Sequence, residues 1–95
     1  MSAYWIVRCH VKDSEVYGEY IKLAGPAIEI YGGRYLVRGG EQDEVEGEGY
    51  ERTVLVKFDS MEQAKACYKS EVYQAAFKIQ EQAADRLVVI VEGIN

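Results

Sequence analysis

Tyr31-Gly32-Gly33-Arg34-Tyr35-Leu36-Val37-Arg38-Gly39-Gly40 is the stretch on which the fold turns. Upstream of it, Tyr17, Tyr20, Ile21, Ala24, Ile28 and Tyr31 recur at the spacing of an amphipathic helix. Gly32-Gly33 stops that helix, because glycine takes the left-handed terminal conformation at little cost. Arg34–Arg38 then reads as a strand, closed by Gly39-Gly40. A helix delivered into a short strand across a glycine pair is one half of a β-α-β unit, and the flanking sequence supplies the rest.

Before the helix, Ala3–Val11 (Ala-Tyr-Trp-Ile-Val-Arg-Cys-His-Val) is rich in β-branched and aromatic residues and reads as a strand. Tyr4 and Ile6 point one way, and Trp5, Val7 and Cys9 the other, so both faces are largely apolar. Asp13 or Ser14 offers the helix an N-cap. Pro26 lies inside the stripe without breaking its phase, which predicts a kinked but continuous helix. After Gly40, residues 41–51 hold six acids (Glu41, Asp43, Glu44, Glu46, Glu48, Glu51) and no base. The chain carries a net charge of −5, and most of its acidity is in this segment, which reads as a solvated, mobile hairpin loop. Arg52–Phe58 is a third strand. Ser60-Met-Glu-Gln63 matches a capping box and opens a short helix to about Tyr68. Ser70 is a better cap than an interior residue, so a bend is expected there. Val72, Tyr73, Ala76, Phe77, Gln80, Ala83 and Ala84 continue at helical spacing. Leu87–Glu92 is the fourth strand.

The order strand-helix-strand-strand-helix-strand predicts an α+β, ferredoxin-like βαββαβ fold over a single domain, residues 1–95. The sheet is four-stranded and antiparallel, with the first and third strands central and both helices on one face. Tyr17, Ile21, Ile28, Val54, Val56, Phe58, Phe77 and Val89 are the expected core. Two helices cover one side only, yet the first and fourth strands are apolar on both. A second copy of the chain is the expected cover, building a homodimeric α/β barrel by sheet-to-sheet packing.

The glycine-flanked run Tyr31–Gly40 resembles the signature of the domain of unknown function 1330 family. Ala3-Tyr4-Trp5-Ile6, the Phe58-x-Ser60 turn and Ser70-Glu-Val-Tyr-Gln74 are similar to the same family, so the resemblance spans almost the whole chain. It implies the dimeric α/β-barrel superfamily and no particular activity. Relatives within that superfamily include cofactor-free monooxygenases, haem-handling enzymes and small-molecule isomerases, but none of their motifs matches here position by position.

Several function classes are excluded or disfavoured by the residues themselves. An RNA-recognition module shares this element order but needs aromatics on the third strand, where Thr53 and Leu55 stand. With a net charge of −5 as well, no nucleic-acid partner is expected. No apolar run approaches a membrane span, and the N-terminus lacks a secretory pattern, so a cytoplasmic protein off the membrane is expected. Cys9 and Cys67 are far apart and read as reduced, buried thiols. His10 is the only histidine, and no ligand spacing completes a metal site. The glycine pairs do not form G-x-G-x-x-G, and no cofactor is implied. Tyrosines on the helical stripes read as packing.

The arginines are the candidate binding residues. Arg8, Arg34, Arg38 and Arg52 lie in or beside strands. Simple alternation places Arg34 and Arg38 on the same, open face. Arg34, Arg38 and Arg8 are therefore expected to hold a small carboxylate or enolate in the barrel cavity. The competing expectation is structural pairing with Glu48, Glu51 or Glu92. His10 is the candidate general base if the protein is a cofactor-free enzyme, and a purely structural or regulatory dimer is the remaining alternative.

Overall fold

A computed structural model describes residues 1–95. Its elements are β1 (Ala3–Val11), α1 (Ser14–Ile30), β2 (Arg34–Arg38), β3 (Arg52–Phe58), α2 (Met61–Lys69), α3 (Glu71–Gln80) and β4 (Ala84–Glu92). The strands form one antiparallel sheet in the order β2-β3-β1-β4, with β3 and β1 central as the βαββαβ reading requires.

Local chemistry accounts for the element boundaries. Asp13 Oδ1 accepts the Val16 N–H and starts α1. The helix runs unbroken through Pro26, which sits on its exposed side, where solvent can serve the carbonyl that loses a donor. The Gly32 N–H and Gly33 N–H then close on Glu29 and Ile28, with Gly32 at φ +78°. Gly33 admits no side chain: a Cβ would strike Ile28 and Phe58. Ser60 Oγ caps α2 by accepting the Gln63 N–H. Ser70 Oγ caps α3 by accepting the Tyr73 N–H and donates to the Cys67 carbonyl, which makes the bend between the two helices.

The core lies between the helices and one sheet face. Ala3, Trp5, Val7 and Cys9 from β1 interlock with Val54, Val56 and Phe58 from β3. Trp5 is buried among Phe58, Tyr68 and Tyr73, and its Nε1–H donates to the Ala64 carbonyl. That bond satisfies the one polar group which burying an indole exposes to cost. Tyr17, Ile28, Val54, Val56 and Phe58 are buried as expected, and Ile21 and Phe77 are partly buried against the cluster.

Two expectations need correction. Val89 is not core: it pairs with Ile6 on the helix-free face and is 54% exposed. Ala83 and Ala84 do not extend the helix: α3 stops at Gln80, Ala83 lies in the turn, and β4 begins at Ala84. Helix-period alanines carry no strand signal of their own, and pairing of Ala84 with Val11 decides the matter. The acidic loop is exposed along most of its length but tied at both ends. Thr53 Oγ1–H donates to Gln42 Oε1, Gln42 Nε2–H to the Tyr50 carbonyl, and the Tyr50 N–H to Glu44.

Candidate functional site

Where the arginines point depends on a bulge in β2. Tyr35 pairs with Val56, but Val37 pairs with Leu55 and Arg38 with Val54, so Leu36 is the extra residue. Every side chain after it changes face. Arg34, opposite Lys57, stays on the helix-free face, and Arg38 crosses to the helix side. The expectation that Arg34 and Arg38 converge is therefore corrected: the sheet lies between them. Arg8 does share the open face, where its Nη2–H bonds Glu44 Oε2 at 3.3 Å and the Tyr50 carbonyl at 3.1 Å. Of the five arginines Arg8 alone has a carboxylate partner, and that partner is none of Glu48, Glu51 or Glu92.

The helix side instead gathers Arg38, Arg52 and Arg86. In the register of the sheet Arg52 and Arg86 flank Cys9, and Arg38 is one pair further along, opposite Val54. Each guanidinium lies against a tyrosine ring: Arg38 over Tyr35 at 4.1 Å, Arg86 over Tyr20 at 5.0 Å and Arg52 near Tyr17 at 6.0 Å. Glycines make the room. A Cβ on Gly25 would crowd Arg38, and one on Gly39, which holds φ +72°, would strike the Arg52 guanidinium.

Between α1 and the sheet a cleft of about 30 Å³ is lined by Trp5, Tyr20, Ile28, Tyr35, Val54 and Val56 among others, with Arg38 and Arg52 as its charged residues. An open groove of about 360 Å³ adjoins it, sharing Tyr17, Ile21 and Arg52 and reaching Gly39 and Glu51. The cleft as it stands has room for water-sized groups rather than a metabolite; the outer groove offers the larger volume. Burial, above all, raises the pKa of Tyr17, Tyr20 and Tyr35, so these phenols are neutral at physiological pH.

His10 lies on the other side of the sheet, with Arg8, and is solvent-exposed. Its Nδ1 meets Glu51 Oε1 at 2.9 Å, while Glu51 Oε2 accepts the Val11 N–H at 2.8 Å. These two bonds, the histidine's first, bring the Glu51 carboxyl down to about 2. No cluster of three or more histidine, cysteine, aspartate or glutamate side chains is placed to hold a metal ion, and no helix is long and apolar enough to cross a membrane.

Arg86 had no signal in the sequence as a binding residue. The helical spacing of Ala83 and Ala84 hides the start of β4, and with it the alternation that sets Arg86 on the helix side. Knowing that Ala84 opens a strand is enough to find it.

A four-stranded antiparallel sheet with helices on one face and an apolar face opposite defines a ferredoxin-like α+β protein. Residues 2–94 match the family described as domain of unknown function DUF1330, and the chain belongs to that family. No curated protein matches it. Among solved structures it is similar to a protein of unknown function from Rhodopseudomonas palustris, with 17% identity, a TM-score of 0.79, and coverage of 99% of this chain and 83% of that one. A dimeric ferredoxin-like protein of unknown function from Jannaschia sp. CCS1 matches with 16% identity and a TM-score of 0.80 over 98% of this chain and 100% of that one. An ethyl tert-butyl ether D (EthD) family protein from Bacillus halodurans C-125 matches with 14% identity and a TM-score of 0.64 over 99% and 100%. At these identities the likeness is one of fold.

Proposed function

We propose that this protein is a homodimer that binds a small carboxylate-bearing metabolite between α1 and the sheet, its anionic end on Arg38 and Arg52. One observation carries the reading. Two guanidinium groups without any carboxylate partner stand at an apolar, tyrosine-lined cleft. Guanidinium groups held over aromatic rings keep their N–H forks free for an anion. The carboxylate sits where the cleft opens into the groove, at Arg52 with Arg38 on its inner side, and the apolar tail lies in the wider groove against Val11, Tyr17 and Ile21. Binding is favoured over acid–base catalysis because the cleft itself is lined by no histidine or carboxylate, and burial raises the pKa of its phenols. This moves the ligand from the barrel cavity, where the open-face alternation of Arg34 and Arg38 had placed it.

Two features support the dimer. Val37, Leu55, Ile6 and Val89 form a continuous apolar row across the helix-free face. Similar solved structures are described as dimeric, including proteins from Jannaschia and Thermobifida fusca.

Thermal shifts with a straight-chain carboxylate such as hexanoate test the binding. Wild-type protein is expected to melt at higher temperature with hexanoate than without. Arg38→Ala and Arg52→Ala are expected to lose that gain while keeping nearly the same melting point in its absence. Equal gains in wild type and both variants would overturn the proposal.

A further inference from the structure

Under the C-terminal end of α3 a second groove, of about 350 Å³, runs along β4, lined by Tyr68, Phe77, Gln80, Ala84, Arg86 and Val88, with Glu81 at its wall. Two of its residues are polar groups placed where polar groups are costly. Gln80 is 2% exposed, and its Oε1 has no hydrogen-bond partner. Arg86 has buried Nε and Nη1 atoms without partners, and only Nη2 is engaged, donating to the Tyr73 hydroxyl at 3.2 Å. No carboxylate pairs with Arg86. Leaving a buried donor or acceptor unsatisfied costs about 1–3 kcal/mol, and more for a charged group. A chain that needed only packing here would carry an aliphatic residue at both positions.

The unmet groups define their complement. Arg86 brings a positive charge and two N–H donors sealed from bulk solvent, which an anion drawn in under α3 would meet. Gln80 presents an acceptor, which a hydroxyl or amine would meet. Tyr68, Phe77, Ala84 and Val88 present apolar and aromatic walls. The geometry points to a second binding site, distinct from the α1 cleft, that takes a carboxylate carrying a neighbouring hydrogen-bond donor and an apolar or aromatic body: an aromatic or branched α-hydroxy or α-amino acid. The carboxylate lies on Arg86, the donor on Gln80 Oε1, and the body against Phe77 and Val88. Arg86 is already oriented by the chain Arg86–Tyr73–Tyr20, whose hydroxyls bond each other at 2.8 Å, so little ordering remains for the ligand to impose.

Mandelate and phenylacetate make the test, since they differ by the one hydroxyl. In ¹H–¹⁵N spectra of the full chain, mandelate is expected to shift the Arg86 Nε–H and the Phe77 and Val88 amides. It should bind about tenfold more tightly than phenylacetate, the yield of one added hydrogen bond. Gln80→Leu keeps the helix and removes the acceptor; it is expected to bring the two ligands to equal affinity. Arg86→Met is expected to abolish both responses, whereas Arg38→Ala, in the other cleft, leaves them unchanged. Should Arg86→Met fail to fold, the Gln80→Leu comparison decides alone. No shift at Arg86, or a mandelate preference that survives Gln80→Leu, would overturn the site and leave these atoms to ordered water.

Discussion

At the scale of single residues, chemistry is set by which neighbour each charge meets. Glu51 meets His10 and the Val11 N–H, and its pKa falls to about 2. A carboxyl lowered in the folded state stabilises it at every pH above the ordinary carboxylate range, and that contribution disappears as pH falls towards 2. Both partners are exposed, so the effect is small. Melting curves of wild type and Glu51→Gln should therefore differ at neutral pH, with wild type higher, and converge by about pH 2. A gap that persists in acid would mean the pair does not account for it. Cys67 shows the opposite case. Burial pushes the thiol up to about 12. With no exposed surface on Cys67 or Cys9, a disulfide reagent at neutral pH is expected to titrate neither until denaturant is added. Prompt reaction of the native protein would contradict that. The wide separation of the two cysteines in the sequence, with no Cys-x-x-Cys, pointed to two buried free thiols, and both are buried and unpaired here.

At the scale of elements, the legible features were those set by local chemistry. Asp13, Ser60 and Ser70 cap helices because their side-chain oxygens lie within reach of free N–H groups. The one-residue bulge at Leu36 leaves no such mark. Strand alternation has period two, so one extra residue turns every later side chain over, and Arg38 follows. Only pairing with β3 reveals it. The glycines after the bulge carry the consequence. Gly39 sits at φ +72° with the Arg52 guanidinium where its Cβ would be, while Gly40 has open space. Gly39→Ala is expected to cost roughly 1–2 kcal/mol through the left-handed backbone alone. It should also displace Arg52 and so weaken the hexanoate response. Gly40→Ala should do neither. Equal melting temperatures and equal ligand responses for the two variants would show that the Gly39–Arg52 fit has no bearing on the site.

At the scale of the whole molecule, the problem is the face without helices. Leu87, Val89 and Val91 of β4 are between 43% and 54% exposed, next to Tyr4, Ile6 and Leu55 of the central strands. Patches of this kind on a small chain mark an interface. The double-faced hydrophobicity of β1 and β4 was readable directly; which residues faced out was not, since Val89 belonged to the apolar run either way. The charges on this face sit to either side of the apolar row. Arg34 and Lys57 lie on one flank, and Arg8, held by Glu44, on the other. An isologous dimer through the row would bury roughly 800 Å² per chain if it is of standard size. Val89 occupies the end of that row on β4, so Val89→Glu would bring two uncompensated carboxylates towards the interface, one from each copy, at several kcal/mol. The side chain is exposed in the single chain, so the variant should still fold. Light scattering is expected to give a dimer mass for wild type and a monomer mass for Val89→Glu, with matching far-ultraviolet circular dichroism. Ile94→Glu, at a position 98% exposed near the C-terminus, should stay dimeric. A monomeric wild type at micromolar concentration, or a Val89→Glu protein that remains a dimer, would place the interface elsewhere or nowhere.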